Sequence, residues 1–183
     1  MNKHVEKEYK MLVNKEQFDK LCSLYENLNF ITQTNTYYDT VNGDIQKKKG
    51  AMRIRERNGR FLFTLKMRQE NLDGLCECEC EVSENSIHAL QSEEIVQLLH
   101  EYQIEAAIIP LTTLVTKRAV VETENAELCF DISTYGNHTD YEIEYEYKKE
   151  HDGLSIFQDI MKQINVVYEK NCISKIQRAI NSL

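Results

Sequence analysis

The chain has 183 residues, of which 42% are hydrophobic and 28% charged, and a formal net charge of −8. That length holds one well-cored domain and is short for two. The acid excess argues against a general nucleic-acid binder, which needs basic side chains to neutralise phosphates, while leaving room for a local basic pocket, and the apolar runs are too short to span a membrane. With a charged N-terminal stretch and no signal-peptide core, the expected compartment is the cytoplasm, with neither membrane nor nucleic acid as a partner.

The first strand is expected over residues 4–13. At the two-residue period of a strand, Glu6, Glu8 and Lys10 share one face while Val5, Tyr9 and Met11 share the other. Two carboxylates and an ammonium in one row either face water or line a polar cavity that holds metal and anion together. Asn14-Lys15-Glu16-Gln17 resembles a capping box with Asn as the cap. Phe18, Leu21, Cys22, Tyr25 and Leu28 then recur at helical spacing and predict a helix over 15–29. Strands follow over 34–40, 51–57 and 61–68, the last two joined by the hairpin signal Asn58-Gly59.

The second half repeats this order: a strand over 76–82, a helix capped by Ser92 and carrying Ile95, Leu98, Leu99 and Tyr102, and strands over 112–122, 126–134 and 140–148. A further helix follows Asp152, with Leu154, Phe157, Ile160, Met161 and Ile164 on one face, and a short one begins near Ser174. The arrangement β-α-β-β-β thus occurs twice. The expected fold is α+β: a closed eight-stranded antiparallel β-barrel with helices packed outside, in a single domain over 1–183. Closure removes the exposed sheet edges. Cys76, Cys78 and Cys80 alternate along one strand, too badly placed for a mutual disulfide and without zinc-site spacing, so they are expected as small buried hydrophobes.

The polar faces of these strands are sorted by sign. Arg53 and Arg55, and Lys66 and Arg68, lie on middle strands, whereas Glu77, Glu79 and Glu81 and then Glu142, Glu144 and Glu146 form acidic rows. Alternation alone fits a one-sided sheet with its charged face in water. A closed barrel with an apolar, helix-covered outside must instead turn the charges inward. Lys and Arg heads crowded in such a tunnel call for a polyanion, and Glu-x-Glu pairs supply hard oxygen ligands for Mg2+ or Mn2+. Together they describe a site for a linear polyphosphate.

Here the chain resembles the CYTH superfamily, the triphosphate tunnel metalloenzymes that include class IV adenylate cyclase and thiamine triphosphatase. Glu6-x-Glu8-x-Lys10 is similar to its ExExK signature. The likeness continues through Thr36-Tyr37-Tyr38-Asp39-Thr40, Met52-Arg53-Ile54-Arg55, Thr64-Leu65-Lys66, Thr116-Lys117-Arg118, Asp131, Glu142-Ile143-Glu144 and Ser174-Lys175. It covers essentially the whole chain, closest to the small bacterial branch. The resemblance implies that Lys10, Arg53, Arg55, Lys66, Arg118 and Lys175 hold phosphates. It implies Glu6, Glu8, Glu77, Asp131, Glu142 and Glu144 as metal ligands, with Glu6, Glu8 and Lys10 at the centre of catalysis. Two departures stand out. Cys76-Glu77-Cys78-Glu79-Cys80-Glu81 replaces an Arg-x-Glu-x-Glu pattern, and Ala119 follows Arg118 where a second arginine is usual.

Three activities are compatible with this set: hydrolysis of a small-molecule triphosphate (inorganic tripolyphosphate, thiamine triphosphate or a nucleoside triphosphate), cyclisation of ATP to cyclic AMP, and polyphosphate binding without turnover. The expected function is metal-dependent triphosphate hydrolysis.

Overall fold

Where the sequence predicts one strand over 4–13, the chain forms two, β1 (Asn2–Glu6) and β2 (Glu8–Val13). The computed structural model describes residues 1–68 and 74–182. In it β1 pairs with β6 (Leu75–Val82) and β2 with β9 (His138–Tyr147), both antiparallel, so the chain changes partner strand at Lys7. Gly74, with φ +142°, allows the approach beside Glu6: a Cβ there would lie 2.3 Å from the Glu6 carbonyl oxygen. Among the described residues there are therefore nine strands where eight were expected. Val5 is a second consequence of the break, since it stays exposed while Tyr9 and Met11 pack on a core.

The residues gather into two compact units, Met1–Glu6 with Gln33–Leu114, and Lys7–Thr32 with Val115–Leu183. In the first, the strand order is β1-β6-β5-β4-β3, with the early part of β7 next to β3. Here β3 is Ile31–Thr40, β4 Ala51–Arg57, β5 Arg60–Arg68 and β7 Ile108–Glu122. The β4–β5 hairpin turns through Asn58 and Gly59, with φ of 54° and 74°. Both positive values are what a two-residue hairpin of matching twist requires. One face of these strands is apolar: Met52, Ile54, Phe63, Leu65, Met67, Cys76 and Cys78 pack on Ile95, Leu98 and Leu99 of α3 (Glu93–Glu101). Cys76 and Cys78 are thus core residues while Cys80, only partly buried, packs against that core, and all six cysteines are free thiols. Ser92 occupies the N-cap position of α3 but makes no capping side-chain hydrogen bond. A short helix, α2 (Asp44–Lys47), absent from the sequence reading, is held by Asp39, whose carboxylate accepts from the amides of Thr40, Ile45 and Gln46.

In the second unit the order is β7-β8-β9-β2, with β8 at Ala126–Tyr135. Phe18 and Leu21 of α1 (Lys15–Cys22) and Phe157, Ile160 and Met161 of α4 (Gly153–Lys162) cover the face bearing Leu128, Phe130, Ile143 and Tyr145. The Asn14 capping box forms as expected: its side chain accepts from the Gln17 amide, and its own amide donates to the Gln17 side chain. α1 nevertheless stops at Cys22, well short of residue 29. Tyr25 and Leu28 reach the same core from the irregular segment beyond, which is why helical spacing over-extended the helix. Asp152 caps α4 and Ser174 caps α5 (Lys175–Asn181). Among the described residues no helix is long and apolar enough to cross a membrane.

Candidate active and metal site

In an antiparallel sheet, cross-strand partners lie side by side on one face, so register decides which charges meet. In the second unit Arg118 is opposite Asp131, Asp131 opposite Glu142, and Glu144 opposite Lys10. The apolar alternates on these strands are spent on the helix-covered core, leaving the charges to share the other face.

There the guanidinium of Arg118 grips Asp131 with two hydrogen bonds, Nε to Oδ1 at 2.7 Å and Nη2 to Oδ2 at 2.5 Å, and also contacts Glu144. The Lys175 ammonium reaches all three carboxylates: Asp131 Oδ2 at 2.9 Å, Glu144 Oε1 at 2.6 Å, and Glu142 Oε1. Arg178, one helical turn on, holds the other oxygen of Glu142 at 2.6 Å and Asp140 Oδ2 at 2.6 Å. Lys10 pairs with Glu8 two residues earlier on its own strand. Asn171 fixes that strand, accepting from the Lys10 amide at 2.7 Å and donating to the Glu8 carbonyl at 3.0 Å.

These carboxylates do not titrate alike. Burial pushes Asp131 up, but Arg118 and Lys175 outweigh it and hold the group below the usual range. Burial acts likewise on Glu144, where Lys175 and Arg118 prevail and hold it well below. For Glu142 burial wins over Lys175, and its carboxyl is raised. Burial opposes the charge on Lys175 and Arg118 as well, yet the acids around each keep both well above their ordinary values.

Asp131, Glu142 and Glu144 are all buried and each offers an oxygen within 4.8 Å of the others. Three converging carboxylates are a fitting donor set for a hard divalent cation. Glu127, Cys129 and Glu146 form a second group of three on the same strands, of mixed burial.

The first unit has its own charged face. Lys66 Nζ lies 2.5 Å from both oxygens of Glu6 and 3.1 Å from Glu77 Oε2. Arg53 and His4 approach the same Glu77 carboxylate, each at 3.8 Å. Arg55 donates to Asn35 Oδ1 at 2.9 Å. Of the three alternating glutamates, Glu77 is buried, Glu79 accepts from Thr64 at 2.9 Å, and Glu81 pairs with the exposed Arg60 at 2.5 Å. Arg53 keeps a buried Nε with no hydrogen-bond partner among the described residues. Such an orphaned cationic N–H is a standing donor for an anion.

A sequence model of the CYTH domain matches residues 4–180. The chain belongs to the CYTH family. It is 34% identical over 173 residues to YjbK of Bacillus subtilis, provisionally named a triphosphatase, covering 91% of this chain and 90% of that protein. A crystal structure of a Bacillus halodurans protein, provisionally named an adenylate cyclase, superposes with a TM-score of 0.86 at 33% identity, covering 97% of this chain and 98% of the other. A Hippeastrum protein, a provisional adenylyl cyclase described as having a dominant triphosphatase activity, shares the fold at a TM-score of 0.75 and 22% identity, over 100% of this chain and 96% of that one.

Within this CYTH chain the ExExK row is divided. Glu6 belongs to the first unit, with Arg53, Arg55, Lys66 and Glu77, while Glu8 and Lys10 belong to the second, with Arg118, Asp131, Glu142, Glu144 and Lys175. Glu6, Glu8 and Glu77 each face a cation. Arg178, Asn171 and Asn35 escaped the sequence reading. Arg178 carried one legible signal, its place three residues after Lys175, on the same face of a helix. Asn171 precedes that helix in an irregular segment, where no periodicity betrays a role. Tyr37 and Tyr38 are both buried: Tyr38 packs in the apolar core and donates to Asn85 at 2.8 Å, whereas Tyr37 is the cross-strand partner of Arg53 and hydrogen-bonds it.

Proposed function

We propose that this CYTH chain is a divalent-metal-dependent triphosphatase acting in the cytoplasm on a small-molecule triphosphate. The observation that carries this is the buried trio Asp131, Glu142 and Glu144 set among Arg118 and Lys175. Acids for a metal and bases for an anion are thereby supplied within one cluster. In the proposed assignment Lys10, Arg118 and Lys175 in one unit, and Arg53, Arg55 and Lys66 in the other, bind phosphate oxygens. Glu6, Glu8 and Glu77 serve as further metal-side acids, and Glu6, Glu8 and Lys10 stand at the reacting end. The closed eight-stranded barrel and the single domain over residues 1–183 belong to this proposal, on the strength of the family likeness.

Hydrolysis here needs little covalent chemistry from the protein. Water adds to the terminal phosphorus, the bond to the bridging oxygen breaks, and orthophosphate and the shortened polyphosphate leave with the water's protons. Rate comes from positioning and from neutralising the charge on the phosphoryl oxygens. Arg118 is suited to that because Asp131 fixes its guanidinium plane. Lys66 brings a point charge held between Glu6 and Glu77. Bound Mg2+ or Mn2+ would add Lewis-acid polarisation of phosphate oxygens.

The name of the Bacillus halodurans relative favours a second reading, in which the ribose 3′-hydroxyl of ATP replaces water as nucleophile on the same phosphate grip. Phosphate and cyclic AMP release, measured in parallel with Mg2+ and with Mn2+, separate the two. Replacing Glu6 and Glu8 together by Ala is expected to abolish turnover and leave tripolyphosphate binding measurable through the basic residues. Turnover surviving that change would refute the role given to these acids.

A further inference from the structure

The Lys175 ammonium sits where a divalent cation would. It touches one oxygen of each of the three carboxylates, Asp131 Oδ2, Glu142 Oε1 and Glu144 Oε1. The three acids are almost wholly enclosed, with side-chain exposures of 0%, 1% and 8%, and Lys175 itself is 13% exposed. A dication among those oxygens and an ammonium in contact with all three repel strongly in so dry a place. The two cannot share the seat. Arg118 and Arg178 differ in this respect. Arg118 shares Asp131 Oδ2 with Lys175 but also holds Asp131 Oδ1 and Glu144 Oε2, which Lys175 does not touch, and Arg178 uses Glu142 Oε2. Both can stay while the oxygens under Lys175 change partner.

We infer that Lys175 is an internal stand-in for the metal: it neutralises the carboxylate trio when no metal is bound, and metal entry displaces its side chain from the trio. The inference deepens the metal assignment of the proposed function and adds a consequence for order of binding. A metal arriving alone must evict Lys175, so its affinity is reduced by the fraction of molecules in which the lysine occupies the trio. Once evicted, the ammonium is free for an anion. Metal and polyphosphate therefore assist each other's binding through one side chain. Because Arg178 remains on Glu142 Oε2 and Asp140, what moves is a lysine side chain, and α5 stays docked.

The test is a titration of the free protein with Mn2+ alone, counting unbound ion by electron paramagnetic resonance. Lys175→Met is expected to bind Mn2+ roughly tenfold tighter or more, the factor for a lysine occupying the trio in nine molecules of ten. An unchanged or weaker affinity in the variant overturns the inference. If the variant folds poorly without its counter-charge, the wild-type protein gives a second readout. Acylation of amines, followed by mass spectrometry, should modify Lys175 several-fold faster with saturating Mg2+ than without, while the exposed Lys162 is unaffected. A Lys175 rate that Mg2+ leaves unchanged overturns it too. Neither measurement contains a triphosphate, so both results stand whether or not the chain hydrolyses one.

Discussion

Arg178 was invisible to motif reading, and replacing it by Met tests how far the site depends on it. Its guanidinium Nη1 lies 2.6 Å from Glu142 Oε2 and donates to the Ile173 carbonyl at 2.6 Å, while Nε donates to Asp140 Oδ2 at 2.6 Å. The Glu142 side chain is 1% exposed, so among the described residues the carboxylate oxygen left behind keeps only the weak Cys172 thiol donor at 3.4 Å. Removing one member of a buried pair costs about 3–5 kcal/mol. Lys175 still holds Glu142 Oε1, and Asp140 is exposed enough to be partly rehydrated, so the lower end, about 3 kcal/mol, is the expectation. For a chain of this size that lowers the melting temperature by roughly 6–12 °C. The loss should extend to the metal, because Glu142 would no longer be oriented from behind, and such an outer contact is worth about 10–100-fold in metal affinity. Thermal unfolding and Mn2+ titration read the two effects, and Arg178→Lys, which keeps one charge without the fork, should recover part of each. A melting point within about 2 °C of wild type and an unchanged Mn2+ affinity would show that neither Glu142 nor the metal site depends on Arg178.

Acid should destabilise the chain before mild alkali does. Asp131 and Glu144 ionise more readily folded than unfolded, so their stabilisation is complete above the ordinary values of 3.8 and 4.5 and is lost as pH falls through the depressed ones. Glu142, being raised, runs the other way and is relieved on acidification. Lys175 contributes below its ordinary value of 10.5 and loses that contribution only as pH rises beyond it. Urea unfolding should therefore weaken steeply below about pH 4 and show no loss from Lys175 at about pH 9; a drop there would contradict the ion cluster. The thiols should be sluggish. Burial pushes Cys22, Cys78 and Cys80 up to about 11 and Cys172 up to about 12, so few are thiolates at neutral pH. Rapid labelling of any of these four by a thiol reagent at neutral pH would show that burial to be overstated.

Sequence reading reached the strands, the face assignments and most of the charged residues because each rests on a two-residue period that tertiary structure rarely overrides. Cys76 and Cys78 fell into the core and Glu77 onto the charged face for that reason alone. The break at Lys7 was not legible. Glu6, Glu8 and Lys10 keep perfect alternation across it, and what divides them is the choice of partner strand, a non-local event. The end of α1 was misjudged because Tyr25 and Leu28 pack on the core without being helical. Arg178 and Asn171 act through carboxylates and backbone groups brought close only by folding, across separations of 36 and 161 residues in chain position for Glu142 and Lys10 respectively.

The central claim, that buried acids hold a metal beside cations that hold a triphosphate, is tested most directly by phosphate release. Tripolyphosphate, thiamine triphosphate and nucleoside triphosphates are offered in turn, with Mg2+, with Mn2+ and with chelator, to the wild type and to Glu144→Gln. Orthophosphate is expected from at least one of them, only when metal is present, with little or none from the variant. Release that survives chelation, or that Glu144→Gln leaves intact, would contradict that claim.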